Sequence, residues 1–154
     1  MFPRLVRFAL SLLLVLAGSA FAAEDGVVRV RSAYPMQETI ARLKQDVAAK
    51  GIMFFQEVDQ AKLAAQAGVS IRPSTLLVFG NPPLGTLFVS AKPEAGLDWP
   101  VRLLVQQDQA GQVWAIYTDF RWIARRHGIA GDAAKPFETA AGVIASITSS
   151  VKAN

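Results

Sequence analysis

The sequence predicts an α+β domain, on three observations. Short runs rich in Val, Leu, Ile and aromatic residues recur through the middle of the chain, bounded by Gly, Pro and Asp. Stretches with apolar residues at helical spacing lie before and after them. A tight turn, Asp108-Gln109-Ala110-Gly111, joins two of the runs as a hairpin.

Each element has its own reason. VVRVR, Val27 to Arg31, alternates apolar and basic residues after Gly26, as a half-buried strand does. Met36, Ile40, Leu43 and Val47 then form one helical stripe, with Pro35 suited to its first turn and Gly51 to its left-handed end. IMFFQEV, Ile52 to Val58, is the second strand, and Asp59 can cap a short Ala-rich helix, Gln60 to Ala67, closed by Gly68. STLLVFG, Ser74 to Gly80, is the third strand. VRLLVQQ and QVWAIYT, on either side of the hairpin turn, are the fourth and fifth. Asp119 can cap FRWIARRHG, which Gly128 closes. In the last helix Phe137, Ala140, Ile144, Ile147 and Val151 share a face.

Residues 1–22 read as a secretory signal. Arg4 and Arg7 form a basic start, Phe8 to Ala17 an apolar run of ten, and Ala20-Phe21-Ala22 a small-residue cleavage site. That run is short for a bilayer span, and no cysteine follows to carry a lipid. The expectation is cleavage after Ala22 and a periplasmic or secreted single domain, 23–154, without a stable membrane anchor. Removing Arg4 and Arg7 from the 16 basic residues leaves 14 against 12 acidic, a net charge of +2. So mild a balance argues for no nucleic-acid partner. The chain has no cysteine and one histidine, His127. Disulfides and thiolate metal sites are excluded, and neither metal nor cofactor is expected.

FGNPPLGT, Phe79 to Thr86, has the glycine spacing of a phosphate-binding loop but not its chemistry. Pro82 and Pro83 have no N–H to donate, and no lysine follows Gly85. The stretch reads instead as a helix start, with Asn81 as N-cap and Pro82 at the first position. That helix runs toward Ala91 with Leu84, Leu87, Phe88 and Ala91 on its inner face. Gly85 inside it signals close packing, or else the approach of a ligand.

AAQAGVSIRPSTLLVFGNPPLGT, GLDWPVRLLVQQDQAGQVWAIYTD and IARRHGI together resemble the domain of unknown function 302 family, from about Met53 to Ile129. The carriers are Gly68, Arg72-Pro73, Gly80-Asn81-Pro82, Gly85-Thr86, Leu97-Asp98-Trp99-Pro100, Tyr117 and Asp119. The resemblance implies β-α-β-β-β-β-α order, a curved antiparallel sheet with helices on one face, and a dimer. It implies no established activity. Some members carry a cysteine after the proline of the DWP motif, where this chain has Val101.

No G-x-S-x-G motif accompanies His127, whose place after Arg125 and Arg126 suits a helix end. Asp98 and Asp119 are the acid–base candidates, with turn and helix capping as their structural roles. Arg121, Arg125 and Arg126 form a mostly solvated basic face. In the fifth strand Trp114 and Ile116 lie on one face and Val113, Ala115 and Tyr117 on the other, so both faces need cover. The leading expectation is a non-catalytic binding module that holds a small apolar or anionic ligand, or a partner, against the sheet. The ligand would lie near Asn81, Thr86, Arg72, Asp98 and Tyr117. The alternatives are a small enzyme using Asp98 or His127, and a homodimeric interaction protein.

Overall fold

The computed structural model describes residues 25–154. The expected leader and its cleavage after Ala22 lie outside the described residues. In chain order the elements are β1 (Val27–Arg31), α1 (Met36–Ala49), β2 (Met53–Asp59), α2 (Gln60–Gln66), β3 (Ser74–Gly80) and α3 (Pro82–Ala91). After a 3-10 turn (Pro93–Leu97) come β4 (Val101–Gln107), β5 (Val113–Thr118) and α4 (Phe120–Arg126). A second 3-10 turn (Gly131–Ala134) leads into α5 (Lys135–Ser149). The strands form one sheet in the order β1-β5-β4-β3-β2, and every neighbouring pair is antiparallel.

Registers that align apolar residues decide which face of the sheet is the core. Leu77 opposes Leu103, and Val105 opposes Ala115. These four, with Phe79, Val113 and Tyr117, are buried. Leu43 and Val47 of α1 and Phe137, Ile144 and Ile147 of α5 complete the core. Phe88 of α3 stacks on Phe137 at 4.1 Å between ring centroids and lies 5.5 Å from Phe120 of α4, so one aromatic cluster joins three helices. Burying a ring of that size contributes about 1.5–3 kcal/mol. The other face carries a row, Leu76–Leu104–Ile116, that remains half-buried. α2 buries none of its residues.

The anticipated caps form. Asp59 Oδ1 accepts the Lys62 N–H at 2.9 Å, Asn81 Oδ1 the Leu84 N–H at 3.2 Å, and Asp119 Oδ1 the Arg121 N–H at 2.9 Å. Asp108 organises the hairpin. Its Oδ1 accepts from Ala110 and Gln112, and its Oδ2 from the Trp114 indole at 2.8 Å.

The inner face of α3 differs from expectation. Leu87 and Ala91 are exposed, and the buried residues are Gly85 and Phe88. The cause is Trp99. A methyl group at Gly85 would fall inside its indole, and one at Gly80 would stand 3.0 Å from its Nε1. The bare backbone of Gly85 is the surface on which the ring lies, so α3 is turned to present it.

Gly85→Ala therefore sets two effects against each other. Helix propensity favours alanine by about 1 kcal/mol, while overpacking costs about 1–3 kcal/mol. Because the clash is with a ring held between elements, the expected net effect is a loss of stability. It is measured by urea unfolding together with a red shift of tryptophan emission.

Candidate functional site

Trp99, Gly80, Gly85 and Asn81 border a cleft between the start of α3 and α5. Leu84, Phe88, Val143 and Ile144 make its walls, and its enclosed free space is about 30 Å³. The lining is almost wholly apolar. Its polar groups come from the cap: Asn81 spends Oδ1 on α3 and keeps its amide NH₂ for other partners. Thr86 lies on the exposed side of α3, and its hydroxyl donates to the Pro83 carbonyl at 3.2 Å.

Immediately before Trp99, Asp98 lies in a nest of cations. Its Oδ2 is 2.7 Å from His127 Nε2, and its Oδ1 is 3.2 Å from Arg126 Nη1 and 3.7 Å from Arg102 Nη2. Facing a carboxylate, the His127 Nε2 carries its hydrogen. The Asp98 and His127 side chains are only 9% and 8% exposed. Arg102 also donates to the Leu97 carbonyl at 2.7 Å. The turn before β4 is thereby tied both to β4 and to the end of α4. The two candidates that the sequence presented 29 positions apart form one pair, and no spacing rule signalled it. As chemistry the pair is incomplete. Both oxygens of Asp98 are taken up by His127 and the arginines, and no hydroxyl is hydrogen-bonded to His127 among the described residues.

The five expected ligand residues do not converge on one site. Asn81 lies at the cleft and Thr86 one turn along α3. Arg72 precedes the opposite end of β3, where its charge acts on Asp108. Tyr117 is on the core face of β5, with Thr148 of α5 across from it. Burial pushes the Tyr117 phenol above its ordinary value, and Asp119 adds to the rise while Thr148 and Arg121 oppose it. Tyr117 borders a second hollow, of about 300 Å³, between β1 and α5. Among the described residues, no group of three or more His, Asp or Glu side chains is placed to hold a metal.

The fold is shared. The profile of the family described as "Domain of unknown function DUF302" matches residues 28–147, and the chain belongs to that family. The match extends beyond Met53 to Ile129 at both ends, taking in β1, α1 and most of α5. The crystal structure of an uncharacterized conserved DUF302 protein from Bacillus stearothermophilus superposes with a TM-score of 0.75 at 16% identity, covering 82% of this chain and 98% of that one. Among curated proteins, the chain is similar to "Fluoride-specific ion channel FluC 1" of Brucella suis, at 36% identity over 79% of this chain and 49% of that protein. The protein of the same name from Brucella abortus matches at 36% identity, over 79% of this chain and 46% of its own length. The chain thus spans about half the length of these curated relatives. No described helix is long and apolar enough to cross a membrane.

Asp98→Ala should destabilise by about 1–3 kcal/mol, because a buried histidine loses a charged partner and two arginines are left facing it. Arg126→Ala should cost less than about 1 kcal/mol, since that guanidinium is largely exposed. Urea midpoints of the two variants test the order. For Tyr117, a folded-state value raised above the ordinary 10.0 means that the native state holds the proton longer than the unfolded chain. Its contribution is complete below the unfolded chain's ordinary 10.0 and is lost as pH rises from there through the raised folded-state value. Tyr117→Phe should flatten the alkaline limb of a stability–pH curve.

Proposed function

We propose that this domain is a non-catalytic binding module whose ligand enters the Trp99 cleft. The observation that supports this best is the apolar lining of that cleft, with an exposed apolar ring, Phe55, against its Trp99. Among the described residues, the exposed large apolar side chains include Met53, Phe55, Leu87, Val89 and Leu97 on β2, α3 and the turn before β4. Phe55 meets Trp99 edge to face at 6.3 Å. Apolar surface beside a small apolar cleft with a few polar groups is the usual form of a ligand or partner site. The cleft takes no more than a methyl-sized tip, so the ligand lies mainly across its mouth, where the Asn81 amide and Trp99 indole N–H meet a polar end. The Asp98–His127 pair supports the cleft by fixing the turn that carries Trp99, which favours binding over an enzyme using either residue.

The reading includes export, with cleavage after Ala22. It also fits relatives twice as long that are named as channels. The half-buried row Leu76–Leu104–Ile116, with Val78 and Trp114 beside it, favours a second role for the open sheet face as a homodimer contact.

Native mass spectrometry of the protein purified from the periplasm tests the main reading. The expected spectrum shows a mass above that of the bare chain, or of the bare dimer. Val143→Phe, whose ring more than fills the cleft, should remove the added mass at a stability cost of about 1–3 kcal/mol from overpacking. Asn81→Ala should lower stability by about 1 kcal/mol as a lost cap and also weaken retention. Bare chains from the parent protein under gentle conditions would count against a retained ligand.

A further inference from the structure

The hollow between β1 and α5 lies on the other side of α5 from the Trp99 cleft. Val143, Ile144 and Ile147 line the cleft, and Ala141, Ala145 and Thr148 line the hollow. Along its length runs the outer edge of β1. Asp119 N–H donates to the Gly26 carbonyl and Ser32 N–H to the Val113 carbonyl, so the even-numbered residues of β1 bond to β5. Antiparallel ladders alternate, so the odd-numbered residues direct their backbone groups outward. Two of those outward groups show it: Val27 N–H donates to Asp25 Oδ1, and the Arg31 carbonyl accepts from Ala153 N–H at 2.9 Å. The second bond belongs to a short antiparallel bridge, Ser32 with Lys152. The chain itself thus begins a sixth strand on this edge. Past it, the N–H and C=O of Arg29 and the C=O of Val27 have no backbone partner among the described residues.

The groups around that open edge select a partner. Arg29, Arg31, Arg121 and Lys152 border the hollow and its edge against two carboxylates, Asp119 in the hollow and Asp25 at the Val27 end. A second β1 could not pair there comfortably, because Arg29 and Arg31 would meet arginines across the ladder. A strand bearing carboxylates opposite them would be attracted. On the inner side Ala141 and Ala145 leave room for small apolar side chains next to Val28 and Val30.

We propose that β1 binds an extended acidic peptide segment by strand addition. The segment alternates Asp or Glu, placed opposite Arg29 on the outer side, with small apolar residues that enter the hollow. Backbone bonds to Arg29 supply affinity, and the alternation supplies specificity. The segment continues the line that Lys152 and Ala153 begin.

The probe is the peptide acetyl-Glu-Val-Glu-Val-Glu-amide, titrated into the purified protein and followed by amide NMR. The expected result is saturable binding that weakens with salt, with shift changes centred on Val27 to Arg31. Arg29→Glu should weaken binding by at least about tenfold, because a cross-strand attraction becomes a repulsion. The same peptide N-methylated at its central Glu keeps its charge but loses the donor facing Arg29, and should bind at least about tenfold more weakly. Equal binding of the methylated peptide would reduce the site to a charged surface and overturn strand addition. Shift changes elsewhere would overturn the location. Displacement of the peptide by phosphatidylglycerol vesicles that bind the β1 edge more tightly would assign the edge to a lipid surface instead. Val143→Phe leaves this edge untouched, so the result is independent of what happens in the Trp99 cleft.

Discussion

The fold turns on one contact, the Trp99 indole laid across two residues that have no side chain. Gly80 ends β3 and Gly85 lies in the first turn and a half of α3, so the ring presses on both sides of the strand-to-helix junction. The junction can bend sharply because Asn81 caps the helix at once. With Trp99 in place, its neighbour Asp98 reaches His127 and Arg126 at the end of α4. Phe88, one turn after Leu84, reaches the rings of Phe120 and Phe137. A packing contact and an ionic one, adjacent in sequence, thus hold α3 and α4 to the same sheet.

The two kinds of contact differ in how they hold. The ring depends on shape, and a single added methyl group competes with it for the same volume. The Asp98 nest depends on desolvated charge. It is the His127 pairing, buried on both sides, that carries most of it, while the more exposed arginines add less.

Much of the fold was legible in the sequence because local rules governed it. Strand alternation put Val113, Ala115 and Tyr117 on one face, the one the structure buries, helical spacing put Phe137, Ile144 and Ile147 on one face, also buried, and the short polar side chains Asp59, Asn81 and Asp119 announced helix starts. The inner face of α3 was not legible, because Leu87 yields its place to a glycine for the sake of a residue fourteen positions away. The site was less legible still. Asp98 and His127 could each be suspected, but their meeting depends on how α4 docks. Arg72 and Asn81 looked close in sequence, yet β3 runs its full length between them. The open edge of β1 had no sequence signal beyond two arginines, since an edge is a property of strand order.

That strand order also governs how the chain is assembled. Val27 pairs with Thr118, and Ser32 with Lys152, so the first strand takes its partners from the last third of the chain. A chain growing from its N-terminus carries β1 unpaired until nearly every other element has been made. Closing so long a loop is entropically costly and slows folding. Through that wait the alternating arginines of VVRVR keep the orphan strand in solution and away from other copies of itself. The residues that border the hollow in the finished domain act first as guardians of the unfinished one.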